Sequence, residues 1–131
     1  MRYLLDTNSV IAVLKGHPGF LVRMRRFRPR DFALPSIVAH ELFYGAYKGK
    51  RIADNLARIE ALRFEVLEFD REDARRAGEL RAELAGAGTA IGPYDVLIAG
   101  QAIVRGLTLI THNVREFQRV PALLLEDWQA L

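Results

Sequence analysis

No cysteine occurs among the 131 residues. That excludes disulfides, thiolate nucleophiles and thiolate zinc sites, and it fits a reducing compartment. No uninterrupted apolar stretch approaches the roughly 20 residues that a bilayer span requires, so a membrane role is not expected and the cytoplasm is the expected location. The opening MRYLLDTNSVIAVLKG resembles a signal peptide only superficially, because Asp6, Thr7 and Asn8 break the apolar stretch and no small-residue cleavage site follows. There is no Walker A sequence, no internal repeat and no low-complexity linker. GAGTAIG, at 86–92, is not a dinucleotide fingerprint, and it follows a helical segment where such a loop should follow a strand; it reads as a flexible connector. His17, His40 and His112 lack metal-binding spacing, and no second histidine stands four residues after His40. His112 differs only in its place after a strand, where a packing or ligand-contacting role stays open.

A strong charge imbalance is also missing. Lys and Arg number 19 against 16 Asp and Glu, a net +3, which by itself says little about partners. The distribution says more, since Arg23, Arg25, Arg26, Arg28 and Arg30 crowd into RMRRFRPR. Guanidinium forks suit phosphate oxygens, yet a solvated helix face is the ordinary reading of an isolated basic run. Nucleic acid becomes attractive only if an active site lies nearby.

Half of the residues are apolar, enough for one globular domain, expected over 1–131. The hydrophobic pattern alternates between strand and helix. Residues 2–5 read as a buried strand, 8–16 as a short helix and 18–27 as a second helix, with Phe20, Leu21, Met24 and Phe27 on one stripe. A strand over Phe32–Leu34 leads through Pro35 and Ser36 into a helix to about Tyr47, and a further helix covers roughly 52–62. FEVLEF, at 64–69, has the strand period; 71–85 is a charged amphipathic helix. Tyr94–Val104 is apolar on nearly every side and so deeply buried. Leu107–Ile110 is a strand, with a last short one expected at Leu123–Leu125. Such alternation predicts an α/β fold with a mostly parallel sheet covered on both faces, in which ligands bind outside the carboxyl ends of the strands.

Three carboxylates fall where that rule places a site. Asp6 follows the first strand, Glu41 lies inside the third helix, and Asp95 opens the buried helix. Each has a plain structural explanation: a helix cap for Asp6, a dipole partner for Asp95, a solvated mid-helix residue for Glu41. Ile37, Val38, Leu42, Phe43 and Tyr47 nevertheless flank Glu41 closely, and a charge bordering buried surface usually has a partner. Two carboxylates about 6 Å apart at an effective dielectric near 20 repel by on the order of 3 kcal/mol. No lysine or histidine is placed by sequence to offset this, whereas a hard divalent cation would do so directly. Mg²⁺, with Mn²⁺ as a substitute, takes one or two carboxylates plus waters, and its open positions activate water and hold a phosphate oxygen.

YLLDTN, SIVAHELFYGA, IGPYDVLIAGQA and LTLITHNVREFQRVPALLLEDW, in this order and spacing, resemble the PIN-domain ribonucleases, and among them the VapC-type toxins of bacterial toxin–antitoxin pairs. The resemblance runs from Tyr3 to Trp128 and implies a PIN-like three-layer sandwich, a short, mostly parallel sheet flanked by helices. It implies metal-binding aspartates at Asp6 and Asp95, with Glu41 completing the catalytic cluster partly through water. Thr7 or Asn8 and Ser36 match small polar residues that orient these carboxylates. Where many PIN domains carry a fourth acid this chain has Asn113, with Glu116 three residues on; many VapC-like sequences share that Asn. One Mg²⁺ site is therefore a safer expectation than two. The resemblance further implies an endoribonuclease neutralised by a small cognate antitoxin, a homodimer, and contact with DNA only through the antitoxin.

Two rivals use the same acids differently. In a receiver-like phosphoacceptor domain Asp70 would accept phosphate and Thr111 would act as the switch residue, but Asp95 then has no role. An aspartyl phosphatase would need an acid at position 8, which is Asn8. A catalytically inactive partner-binding module would need none of the acids.

Overall fold

The computed structural model describes residues 1–130. Five strands form one sheet: β1 (Tyr3–Leu5), β2 (Phe32–Pro35), β3 (Glu65–Leu67), β4 (Thr108–Ile110) and β5 (Leu125–Glu126), in the order β3-β2-β1-β4-β5. All four pairings are parallel, so the expected mostly parallel sheet is parallel throughout. Tyr3 aligns with Phe32 on one side and with Thr108 on the other, which centres β1 in the sheet. Tyr3, Leu4 and Leu5 are all buried, because a central parallel strand has no solvent face. The edge strand β3 instead leaves Val66 half exposed.

The helices are α1 (Thr7–Leu14), α2 (Pro18–Met24), α3 (Ser36–Lys48), α4 (Ile52–Glu60), α5 (Arg71–Gly86), α6 (Pro93–Arg105) and α7 (Val114–Phe117). The chain steps from β1 to β2 to β3 in one direction and then crosses to β4 and β5 on the other side of β1. Right-handed crossovers therefore place α1–α4 on one face and α5–α7 on the other. Their packing agrees: α1 meets α2 and α3, α3 meets α4, and α5 lies along α6. Close contact between the last pair needs Gly100, where a Cβ would come within 2.8 Å of Ala77.

Several elements differ from their sequence-based reading. α2 ends at Met24, so Phe27 leaves the helical stripe and stacks on Trp128, ring centroids 5.6 Å apart. Tyr3 and Phe32 join this aromatic cluster, Tyr3 edge-on to Trp128 at 5.0 Å. Pro29–Asp31 forms a 3₁₀ turn, α7 occupies four residues read as loop, and the last strand begins at Leu125 rather than Leu123. A four-residue helix has too few periodic positions to announce itself.

Two arginines of the basic stretch land away from their expected partner, whereas Arg23 donates to the Asp127 carbonyl at 3.1 Å. Arg28 and Arg30 precede β2 directly and lie at the amino edge of the sheet, opposite the edge where Asp6 follows β1. Arg28 and Arg30 are solvent-exposed. The solvated-surface reading holds for them.

Candidate active site

The strand order reverses at β1, so the crevice beside the carboxyl ends of β1 and β4 is where an open α/β sheet binds ligands. Asp6 leaves β1 into that crevice. It is buried, 6% exposed, and its carboxylate accepts the Ser9 N–H at 2.8 Å, capping α1. The cap explanation holds for Asp6, and since one oxygen suffices for the cap, the other carboxylate oxygen is left for a further partner. Ser9 is fully buried and donates its hydroxyl to the Ile110 carbonyl at 2.9 Å, tying α1 to the end of β4. Burial raises the Asp6 pKa; hydrogen bonds from Thr111 and Ser9 and the charge of His112 pull against it without cancelling it.

Asp95 sits in the first turn of α6, after Pro93. Its pKa is pushed up to about 6, first by desolvation, then by Glu116 through charge and a hydrogen bond, and further by the charges of Asp6 and Glu41. Glu116, Asp6 and Glu41 thus all act on the Asp95 carboxyl, brought within range of it by α7, α1 and α3. Glu116 moves the opposite way. The Gly92 N–H donates to it at 2.6 Å and the Asn113 amide at 2.8 Å, and these bonds hold its pKa low. A proton shared by the pair consequently resides on Asp95. A side chain at Gly92 would displace the Asp95 carboxylate, since a Cβ would stand 2.9 Å from it, and would touch that of Glu116 at 3.5 Å.

Glu41 is partly buried on α3, between the buried Val38 and Leu42, while Tyr47 turns out to solvent. With Thr7, Ile11, Leu42, Arg58 and Ile59 it lines a groove between α1, α3 and α4. Arg58 closes the far end of this groove by donating to the Leu14 carbonyl. Among the supporting residues, the Asn113 amide donates to Glu116 at 2.8 Å. Thr7 contributes a buried hydroxyl with no hydrogen-bond partner among the described residues. Ser36 begins α3 at the same sheet edge and Asn8 is exposed; neither side chain bonds to an acid among the described residues.

Ser9 and Gly92 are not singled out by the sequence, and Thr111 figures in it only as the switch residue of a receiver-like domain. Ser9 holds Asp6 through its backbone, Thr111 bonds Asp6 and accepts the Asn113 N–H at 3.0 Å, and Gly92 holds Glu116. Gly92 belongs to the glycine-rich loop read as a connector, and its role is positional. The one available signal was its place two residues before Tyr94-Asp95.

The donor set suits a hard divalent cation. All four acids supply oxygen, and no lysine, arginine or histidine lies within 4.0 Å ion-pair distance of any of them among the described residues. The orphaned Thr7 hydroxyl adds a buried polar atom beside them. As the side chains stand, no three His, Cys, Asp or Glu residues among those described form a ready-made metal cage. The match is therefore to an ion that keeps several waters and takes only one or two carboxylates, as Mg²⁺ does.

The receiver arrangement fails on geometry. Asp70 caps α5 and lies beside Arg105, at the other end of α6 from Asp95. Ten residues of helix separate Asp95 from Arg105, about 15 Å. Thr111 serves Asp6 instead. Among the described residues, no helix is long and apolar enough to cross a membrane.

Comparison with known proteins agrees with this geometry. The family model for the PIN domain matches residues 3–123. Over 130 residues the chain is 42% identical to the tRNA(fMet)-specific endonuclease VapC of Salmonella typhimurium, with 98% of each chain covered. It is 37% identical over 132 residues to ribonuclease VapC2 of Rickettsia felis, again with 98% of each covered. A chain in the DNA-bound VapBC structure from Salmonella typhimurium superposes with a TM-score of 0.92 at 43% identity, covering 98% of both. VapBC2 from Rickettsia felis, bound to a DNA fragment from their promoter, gives 0.90 at 36% identity, covering 98% of this chain and 99% of that one. The chain belongs to the PIN-domain family and stands within it beside the VapC ribonucleases.

Proposed function

We propose that this chain, as a single PIN domain, is a Mg²⁺-dependent endoribonuclease and the toxin of a toxin–antitoxin pair, working in the cytoplasm. The observation that carries the chemistry is the uncompensated carboxylate hollow: Asp95 is held near pKa 6 by burial first and by its acidic neighbours second, with no basic side chain in ion-pair contact. Asp6 and Asp95 would hold the ion, with Mn²⁺ as a substitute. When bound, it supplies a Lewis acid for a phosphate oxygen and an acidified water.

The remaining work falls to this chain's own groups. Glu41, whose charge acts on Asp95 from α3, orients the attacking water and takes its proton. Glu116 is locked by Gly92 and Asn113 and aims the Asp95 carboxyl through their shared hydrogen bond. Ser9 and Thr111 keep Asp6 pointed into the crevice. In-line attack on an RNA phosphodiester would leave a 5′-phosphate product.

The partners follow from the relatives. The Salmonella and Rickettsia chains are found in VapBC complexes on DNA; we infer a cognate antitoxin for this chain, contact with DNA only through it, and a homodimer. Purified protein is expected to cut RNA with Mg²⁺ or Mn²⁺ and to stop in excess EDTA. Asp6→Asn is expected to abolish cutting while the circular dichroism spectrum stays native. Cleavage that persists in EDTA, or growth arrest on expression that survives Asp6→Ala, would defeat the reading.

A further inference from the structure

A second cleft opens along α1; it shares Ile11 and Lys15 with the groove that Glu41 lines, and its remaining polar lining differs. Asn8, Lys15, His17, His112 and Gln129 supply its polar wall, and no carboxylate lines it among the described residues. The cleft and the acidic hollow share the start of α1, where Asp6 faces one and Asn8, two residues on, faces the other. His112 is close enough for its charge to act on Asp6.

The polar groups of this cleft are poised as donors. His17 accepts the Phe20 N–H through Nδ1 at 3.1 Å, so its neutral ring must carry the proton on Nε2. His112 is braced by Asp127, whose carboxylate oxygens lie 3.0 and 3.2 Å from its Nδ1. Asp127 is itself tied down by the backbone N–H groups of Gln129 and Ala130. Gln129 carries an amide nitrogen without a hydrogen-bond partner among the described residues, and rotation about its soft terminal torsion brings that donor to the cleft. Lys15 adds a full positive charge. Nε2 of His17, the Gln129 amide nitrogen and the Lys15 ammonium meet no acceptor among the described residues, while His112 is already paired with Asp127; these donors, with Lys15 as the cation, make a receptor for an anion.

We propose that the cleft of Lys15, His17, His112 and Gln129 binds an RNA backbone phosphate next to the scissile one, and so sets the direction in which the strand crosses the acidic hollow. This rests on the ribonuclease reading above. A phosphate is favoured over a protein carboxylate because the cleft adjoins the hollow that would hold the scissile phosphate, so two successive groups of one strand satisfy both.

The test uses a short single-stranded RNA and a set of copies in which one phosphate at a time is a neutral methylphosphonate. Binding is measured in EDTA and cleavage in Mg²⁺. The variants are Lys15→Gln and His17→Asn; asparagine keeps an oxygen to cap α2, and an unchanged melting temperature checks the fold. Each variant is expected to raise KM by on the order of tenfold, more than it lowers kcat, as loss of a charge-assisted phosphate contact does. Lys15→Gln is expected to flatten the log–log salt dependence of binding by about 0.7. One methylphosphonate beside the cleavage position should weaken binding to wild type and add little in the variants. Folded variants with wild-type KM and an unaltered interference pattern overturn the proposal, including where they lose affinity for an acidic peptide instead. Failure of the ribonuclease reading is distinguishable, since it would appear as wild type that binds these RNAs in EDTA yet cuts none in Mg²⁺.

Discussion

Asp73 and Asp95 both lie on helices that pack together, α5 and α6, yet the fold treats their charges in opposite ways. Asp73 is wholly buried, and burial alone would raise its pKa. Hydrogen bonds from Arg105 at 3.0 and 3.2 Å, from the Asp70 backbone at 3.0 Å and from Gln101 at 3.0 Å more than offset this, and the pKa falls. Arg105 and Gln101 also donate to the Glu68 carbonyl, so the same cluster anchors the chain leaving β3. Asp95 has no such cation. Burial raises its pKa, the charges of Glu116, Asp6 and Glu41 raise it further, and it climbs to about 6. One aspartate is fully served by its own chain; the other is left in a state that an external cation relieves. A compensated buried acid holds structure together, whereas an uncompensated one marks a place where a ligand belongs.

The largest effect that would sharpen this contrast is on activity. Asp95→Asn is expected to lower kcat by at least about 10²–10³-fold, because it removes a carboxylate from where charge is stabilised. The same variant should melt higher than metal-free wild type, since the amide still donates to Glu116 but no longer repels it. Next in size is Arg105→Ala. Stranding the buried Asp73 is expected to cost about 2–4 kcal/mol, toward the lower end because Arg105 is partly exposed, with cleavage per folded molecule retained. A melting curve paired with an RNA assay separates the two; equal stability losses from both substitutions would erase the distinction.

Smaller effects follow from pH. An aspartate whose pKa rises on folding binds more protons folded than unfolded, so the stability it lends below its ordinary value near 4 is lost as pH climbs to about 6. Metal-free protein is expected to be about 1–2 kcal/mol more stable at pH 4.5 than at pH 7 on this account, after allowance for solvent screening. The gain should shrink in Asp95→Asn and when Mg²⁺ is added at pH 7. Asp73 works in the reverse direction: its contribution is present above its ordinary value and is lost only as pH falls further. Denaturant midpoints across that range, in wild type and Asp95→Asn, would expose a wrong assignment as two parallel curves. The smallest change is Ser9→Ala. It removes the bond to Ile110 and is expected to cost about 1 kcal/mol, while the backbone N–H that holds Asp6 remains.

A second contrast concerns positive charge. RMRRFRPR is the conspicuous basic feature of the chain, yet Arg28 and Arg30 lie at the wrong edge of the sheet for the acidic hollow. The cleft beside the hollow draws on Lys15, His17, His112 and Gln129, residues scattered over more than a hundred positions and unremarkable one by one. Density along the chain measured neither proximity to the site nor the direction in which side chains donate.

Local pattern sufficed for what depends on neighbours in sequence. YLL is apolar on every side because a central parallel strand is buried on both faces, and the period of 94–104 announced the most deeply buried helix. The three acids were legible because each directly follows a strand or occupies a defined place in a helix. What only the folded chain decided was how groups far apart in sequence balance one another. Glu116 meets Gly92 across 24 residues and Ser9 meets Ile110 across 101; Asp73 finds Arg105 while Asp95 finds none. Charge and hydrogen bonding act through space, so whether a buried carboxylate is satisfied or left wanting a cation is settled by the packing of helices and not by any residue's immediate neighbours.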